Sequence, residues 1–281
     1  MFRLAPAAVY GRGLLAAAIL AAATSTTRSV DIPTRGTDQI AHFCIVAFGG
    51  KERWQQVRDL SFQQVVVRYG PDRKPMGERT SRLYLRYQPR RQCRIESLTD
   101  DGKPHLVVYD GEKARVEVGG KEDTNAAIRR KGVRSALSAL YLFSLPFPLQ
   151  DPGVVLSYRG KGSLDGRQAY LLHADASRGS TPSPASTYDF YVDAETYQIP
   201  QLTYTVASDS VTYVVRWSDY QNIGGILRPV RWDYMASPRQ IAMSVDLREM
   251  KINANLADAL FRTGPGRAAR DAGAAQKPPP R

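Results

Sequence analysis

The sequence predicts a mainly β fold of the α+β class, in which a curved antiparallel sheet of about eleven strands carries two helices. Short β-rich segments recur between turn signals from Leu60 to Leu247, as expected of successive antiparallel strands. Asp110-Gly111 and Asp165-Gly166 are two-residue hairpin signals. A sheet of this length curls, so we expect a concave face that the two helices fill or cover.

The first predicted helix spans residues 37–57. Ile40, Phe43 and Ala47 lie at helical spacing, and further apolar residues surround them. We therefore expect this helix to be buried on nearly all sides, with an interruption at Gly49-Gly50.

The second predicted helix spans residues 125–143. Val133, Leu137 and Leu140 recur along one of its faces. Pro146 follows closely and should prevent the helix from continuing.

The N-terminus has the features of a cleavable secretory signal peptide over residues 1–23. A basic segment containing Arg3 and Arg12 precedes ten uncharged residues, too few to span a bilayer. No cysteine follows directly, so we expect an exported, soluble and unlipidated periplasmic protein; the alternative is an N-terminal membrane anchor.

The rest of the chain divides into a linker (24–36), one folded domain (37–262) and a tail predicted to be disordered (263–281).

The chain carries a formal net charge of +12, part of which lies in the N-terminal segment and the tail. A modest basic excess in an exported protein favours contact with anionic lipid headgroups. The sequence has no finger spacing, aromatic-rich RNA-binding stretch or recognition-helix pattern, so we expect no nucleic-acid partner.

No sequence motif supports catalysis. His42, His105 and His173 lie in different predicted elements, and none has a partner at metal-ligand spacing. Nucleophile elbows, phosphate-binding loops and tuned carboxylate pairs are also missing from the sequence. We expect a protein that is not an enzyme and has no cofactor and no metal.

Cys44 and Cys93 leave two alternatives open. In an oxidising compartment they can form a disulfide. They can equally be two small buried hydrophobic residues, because sequence alone does not place their Cα atoms within bridging range.

The apolar stripes of several strands indicate either a binding cavity or an ordinary core. On the cavity hypothesis, acyl chains lie between the sheet and the helix at 125–143, which acts as a movable lid. The predicted lining residues, chosen by period-2 alternation on the strands and by the apolar face of the helix, are Leu83, Leu85, Leu137, Leu140, Tyr141, Tyr213, Val215, Trp217, Val230 and Trp232.

The first half of the same helix is strongly basic. Arg129, Arg130, Lys131 and Arg134 fall within two turns. These residues either contact anionic headgroups or a membrane surface, or they form a solvated helix face.

Diffuse motifs over most of residues 37–262 carry a family resemblance. They are FGGKERWQQVRDLSFQ (48–63), RLYLRYQPRRQCRIES (82–97), VVYDGEKARVEV (107–118), DFYVDAETYQIPQLTY (189–204) and VRWSDYQNIGGILRPVRWDY (215–234). The chain resembles the outer-membrane lipoprotein carrier and lipoprotein-sorting family (LolA/LolB-like). This resemblance implies an open β half-barrel with a helical lid that holds lipid or acyl chains non-covalently. The charged lid and the polar loop 176–186 depart from the classical carrier, and no lid-latching arginine can be assigned.

We therefore predict a periplasmic carrier that binds a lipid or a lipidated protein under a helical lid. The alternative is a non-catalytic structural or adaptor subunit that docks on a membrane-associated envelope complex through its basic helix.

Overall fold

A computed structural model describes residues 34–206 and 211–263. The helices are α1 (Thr34–Ala47), α2 (Lys51–Trp54) and α3 (Ala126–Leu142), with short 3-10 helices at Phe147–Gln150 and Asp258–Phe261. The strands are β1 (Asp59–Tyr69), β2 (Pro75–Arg86), β3 (Gln92–Leu98), β4 (Pro104–Tyr109), β5 (Ala114–Val118), β6 (Lys121–Glu122), β7 (Val155–Leu164), β8 (Arg167–Asp175), β9 (Thr187–Asp193), β10 (Gln201–Val206), β11 (Val211–Ile223), β12 (Ile226–Ser237) and β13 (Gln240–Ile252).

All thirteen strands belong to one antiparallel sheet, two more than the approximate number expected. The order across the sheet is β6-β5-β4-β3-β2-β1-β13-β12-β11-β10-β9-β8-β7. Each half is a meander, and β1 joins the halves by pairing with β13. The two edge strands, β6 and β7, do not pair with each other, so the sheet is an open half-barrel and not a closed one, as predicted.

The tight turns of the sheet follow from residues that tolerate positive φ. Asp165 and Gly166 have φ values of 50° and 83° and connect β7 directly to β8. Gly224 and Gly225 connect β11 to β12 in the same way, with φ values of 59° and 84°. Two consecutive positive φ angles are typical of the hairpin turn whose twist matches that of the strands. The Asp110-Gly111 turn is wider than the predicted two residues, because β4 ends at Tyr109 and β5 begins at Ala114.

Helix α1 begins within the predicted linker and ends before the glycine pair. Gly49 has φ of 115°, and its Cα approaches the Gly225 carbonyl so closely that a Cβ would lie 2.4 Å from that oxygen. The expectation of burial on all sides was wrong, because α1 packs with one face only. Ala41, Cys44, Ile45 and Phe48 are buried, whereas Phe43 is 39 % and Val46 51 % exposed.

Helix α3 matches its prediction within one residue at each end. The Asn125 side chain accepts a hydrogen bond from the Ala127 amide and caps the N-terminus. The helix packs against strands β2 to β5, whereas α1 packs against β7, β8 and the 3-10 helix at 147–150. The two helices thus cover different halves of the same concave face.

The C-terminal segment returns across the convex face. Phe261 is buried there, and the Arg86 guanidinium lies 4.5 Å above its ring. The Thr263 hydroxyl donates to Asp110 at 2.5 Å. The predicted signal peptide and residues 264–281 lie outside the described residues. Among the residues described, no helix is long and apolar enough to cross a membrane.

Candidate functional site

The ten residues predicted to line a cavity all lie in one core, on the face of the sheet that contacts the helices. Seven are fully buried: Leu83, Leu85, Leu140, Tyr141, Val215, Trp217 and Trp232. Leu137, Tyr213 and Val230 are half-buried and pack against that core. The alternation argument therefore chose the inward face correctly on β2, β11 and β12.

Aromatic contacts join the two covering helices to the middle of the sheet. Phe143, which follows α3 directly, stacks on Trp232 with ring centroids 4.7 Å apart. Trp232 contacts Trp217 on the neighbouring strand at 5.5 Å, and Trp217 contacts Phe48 at the end of α1 at 6.4 Å. Since these rings form a continuous chain, both helices share one apolar core with the sheet.

In this structure α3 rests directly on the sheet. A Cβ added at Gly132 would lie 2.8 Å from Val116 Cγ2 and 3.2 Å from the Ala114 Cβ. Three of the five buried residues of α3 are the small Gly132, Ala136 and Ala139, and the other two, Leu140 and Tyr141, lie in its last turn. The concave face is therefore in a closed, packed state.

Two surface pockets lie away from that helix–sheet contact. One, of about 320 Å³, is formed by the polar loop 176–186. The other, of about 290 Å³, lies among the turns after β7 and β9 and the middle of β11, where Trp217 contributes to its wall. Polar or charged residues contribute to the lining of both pockets.

Arg228 is an inward-facing charge in the middle of this apolar core. Its residue is fully buried, and its Nη1 donates to the Leu145 main-chain oxygen at 3.0 Å. Its Nε and Nη2 atoms are buried without a hydrogen-bond partner, and no carboxylate of the described residues lies within ion-pair distance. Burial lowers the pKa of Arg228 to about 10, so the side chain remains cationic at neutral pH.

Tyr87 holds the same end of α3. Its hydroxyl donates to the Leu140 main-chain oxygen at 3.2 Å. The ring contacts Trp54 at 4.9 Å, and the Arg91 guanidinium lies 5.9 Å from its centroid. The last carbonyls of a helix lack partners within the helix. The Tyr87 hydroxyl satisfies one of them, and the Arg228 guanidinium binds a carbonyl three residues beyond the helix.

The loop at residues 176–186 forms a third cover. The Thr181 hydroxyl donates to Asp151 and accepts a hydrogen bond from Arg91 Nη2 at 3.3 Å. Ser183 and the buried Tyr188 hydroxyl lie 2.7 Å apart. These contacts connect the loop to the other half of the sheet and to the segment after α3.

The basic residues of α3 differ in their surroundings. Arg129 pairs with Glu122 at 2.8 Å, and Lys131 is half-buried. Arg130 and Arg134 are exposed. All four lie in the N-terminal half of the helix, which has no acidic residue in its first turn. Because the positive end of the helix dipole disfavours cations, helix stability does not account for this cluster.

The histidines and cysteines occupy structural positions. His105 Nδ1 lies 3.2 Å from the Ser97 hydroxyl, and His173 Nδ1 lies 2.7 Å from Asp189. Within the described ranges, no three His, Cys, Asp or Glu side chains are arranged to hold a metal. Cys44 and Cys93 are buried and unbridged, which corresponds to the alternative of two buried thiols.

Sequence reasoning missed Arg228, although a signal was present. Val230 and Trp232 were predicted to line the same face of their strand, and period-2 alternation puts residue 228 on that face too. A charged residue at an inward position of a buried strand is a functional candidate. Nothing comparable in the sequence marked Tyr87.

Comparison with solved structures identifies this architecture. A DUF1329 family protein from Desulfovibrio piger matches over 80 % of this chain and 97 % of its own, with a TM-score of 0.52 and 16 % identity. A LolA superfamily protein from Nitrosomonas europaea matches over 80 % of this chain and 97 % of its own, with a TM-score of 0.51 and 12 % identity. The chain has the LolA-like fold. The predicted resemblance is thus confirmed at the level of the fold. No protein-family model matches the sequence, and no curated protein is significantly similar to it.

Proposed function

We propose that this LolA-like chain is a non-catalytic carrier of the cell envelope that binds acyl chains between its concave sheet and α3. The contact between the sheet and α3 supports this proposal. An apolar, aromatic sheet face lies beneath a helix whose buried residues before the last turn are all small: Gly132, Ala136 and Ala139. Small residues interlock less with a sheet than large side chains do, so this part of the helix can separate from the sheet at a lower cost in packing.

The closed state described above is then the ligand-free state. Acyl chains would replace α3 as the cover of Leu83 and Leu85, and Phe143 as the cover of Trp232; all three residues are buried in the closed state. Burying the same apolar area against a ligand instead of a helix makes the exchange nearly neutral in hydrophobic free energy. The main cost of opening is then the loss of the polar contacts at the end of α3, at Leu140 and Leu145.

The exposed cations of α3 support a role next to a lipid surface. Each basic residue near an anionic membrane contributes about 1 kcal/mol of binding free energy. Arg130 and Arg134 are exposed on the outer side of the helix that would have to move. Contact with lipid headgroups would therefore be made by α3, the helix that has to move.

The packed core also favours a second candidate, an adaptor subunit that docks on an envelope complex through the same cationic helix. Such a protein needs no opening of α3. The two candidates differ in one property, since only the carrier requires the helix and the sheet to separate.

Organic extraction of the protein purified from the periplasm, followed by mass spectrometry, tests the carrier. We expect acyl lipid in near-stoichiometric amount from the intact protein, and none from the same protein after delipidation on a hydrophobic resin. A delipidated protein that takes up no acyl lipid from vesicles would contradict the proposal and favour the adaptor.

A further inference from the structure

The buried guanidinium of Arg228 is not explained by the packing around it. An ionised group moved from water into a protein interior loses its solvation, and only a counter-charge or a full set of hydrogen bonds makes up for that loss. Arg228 has one hydrogen bond, to the Leu145 carbonyl, and no acidic partner among the residues described. The C-terminal end of α3 offsets only part of that charge.

The unpartnered atoms have a specific geometry. Nη1 is occupied by Leu145, whereas Nε and Nη2 are both buried and without a partner. These two nitrogens form one edge of the planar guanidinium. Their N–H groups point in parallel, which is the arrangement that binds both oxygens of a carboxylate or phosphate.

A second cation and apolar residues lie in the neighbourhood of Arg228. The Arg91 guanidinium lies over the ring of Tyr87, and its Nη1 is also buried without a partner. The charges of both Arg228 and Arg91 act on the Tyr87 phenol. Along β12, the positions next to Arg228 on the inward face are Ile226 and Val230, which pack in or against the core.

We infer that Arg228 anchors an oxyanion headgroup, a carboxylate or a phosphate, borne by a single acyl chain that lies along the concave face. This inference rests on the proposed carrier function and specifies its ligand. The headgroup binds the free Nε and Nη2 edge, and the acyl chain occupies the space between the sheet and α3. A neutral lipid has no anionic headgroup to bind the Nε and Nη2 atoms, which then stay without a partner. Such a lipid therefore binds more weakly than an anionic one.

The test compares a fluorescent fatty acid with its uncharged ester on the full-length mature protein. Binding of cis-parinaric acid and of its methyl ester is measured by fluorescence titration at about pH 8, where the free carboxyl group is ionised. We expect the acid to bind at least about tenfold more tightly than the ester, as for a hydrogen bond to a charged group. The Arg228→Met variant should bind the acid as weakly as the ester.

Two further variants control for fold and charge. Arg231 lies on the same strand, but it faces the convex side, where it pairs with Asp246 at 2.9 Å. Arg231→Met should keep the preference for the acid. Arg228→Lys keeps the charge but not the two parallel N–H donors, so it should lose most of the preference for the acid over the ester. This variant keeps the inference testable if Arg228→Met does not fold.

Competition identifies the source of the oxyanion. Displacement of the probe by oleate or by oleoyl lysophosphatidic acid shows whether a carboxylate, a phosphate or both are accepted, and each supports the inference. Displacement by inorganic phosphate alone would show a simple anion site and overturn it. Equal binding of acid and ester, or a preference that survives in both Arg228 variants, would also overturn it while leaving the carrier function intact. If neither probe binds, the carrier function itself fails.

Discussion

Arg228 and Leu145 are connected by a hydrogen bond of 3.0 Å between Nη1 and the main-chain oxygen. It links the start of β12, next to the Gly224-Gly225 hairpin, to the segment that follows α3. Together with Tyr87, Arg228 therefore holds the covering layer, and its side chain is buried in the core.

Replacement of Arg228 separates its functional role from its contribution to stability. Arg228→Met keeps much of the side-chain volume and removes the cost of burying a charge, but it leaves the Leu145 carbonyl without its partner. Replacing a buried charge by a hydrophobic residue is often neutral or stabilising, so we expect the free energy of unfolding to change by less than about 1 kcal/mol. Urea denaturation measures this value. A loss of several kcal/mol would show that the guanidinium is a structural requirement of the fold.

The close contact between α3 and the sheet predicts a strong effect at Gly132. Gly132→Leu forces a large side chain against Val116 and Ala114, and overpacking of this kind costs about 1–3 kcal/mol. Arg134→Leu changes an exposed position of the same helix and should alter stability by less than about 0.5 kcal/mol. Chemical denaturation of both variants tests the packing, and equal stabilities would contradict a closed helix–sheet contact.

The exposed cations of α3 predict binding to anionic membranes. The Arg130→Glu/Arg134→Glu variant should lose at least about 2 kcal/mol of binding free energy to vesicles containing phosphatidylglycerol, since each cation contributes about 1 kcal/mol. Arg159→Glu/Lys161→Glu changes the net charge equally on the exposed edge strand β7 and should retain most of the binding. Vesicle co-sedimentation at low and high salt provides the measurement. Equal losses in both variants would assign the binding to net charge alone.

His105 makes the fold sensitive to acid. Burial, assisted by the positive charges of Lys131 and Arg79, lowers the pKa of His105 to about 4. The unfolded chain binds a proton near pH 6.5 and the folded one only near pH 4, so stability is lost as the pH falls through this range. Between pH 7 and pH 5 the loss is on the order of 2 kcal/mol. In His105→Gln this part of the pH dependence should vanish, and an unchanged dependence would assign it to other groups.

The sequence predicted the elements whose signals are local. The break at Gly49-Gly50 located the end of α1, and Asp165-Gly166 located a hairpin. The inward faces of β2, β11 and β12 followed from alternation, because a one-residue slip would expose every apolar side chain of the strand.

Tertiary contacts determined what the sequence did not predict. Residues 75–81 lack a strand pattern, yet they extend β2 because β1 provides the hydrogen-bonding partners opposite them. The apolar residues Phe43 and Val46 remain exposed, because α1 packs with one face only. The closure of α3 onto the sheet depends on small residues, Gly132 and Ala136, which hydrophobic periodicity does not detect.

Separation of α3 from the sheet is the central claim, and a reversible cross-link tests it directly. The Ala114 Cβ lies 3.2 Å from the position of a Cβ on residue 132, so small shifts would bring cysteines at both sites into disulfide range. The variant Ala114→Cys/Gly132→Cys is made in a Cys44→Ala/Cys93→Ala background, with Gly132→Cys alone as the control. We predict that the oxidised double variant does not bind methyl cis-parinarate, that reduction restores binding, and that the control binds under both conditions. Equal binding by the oxidised and reduced double variant would contradict a carrier that opens between α3 and the sheet.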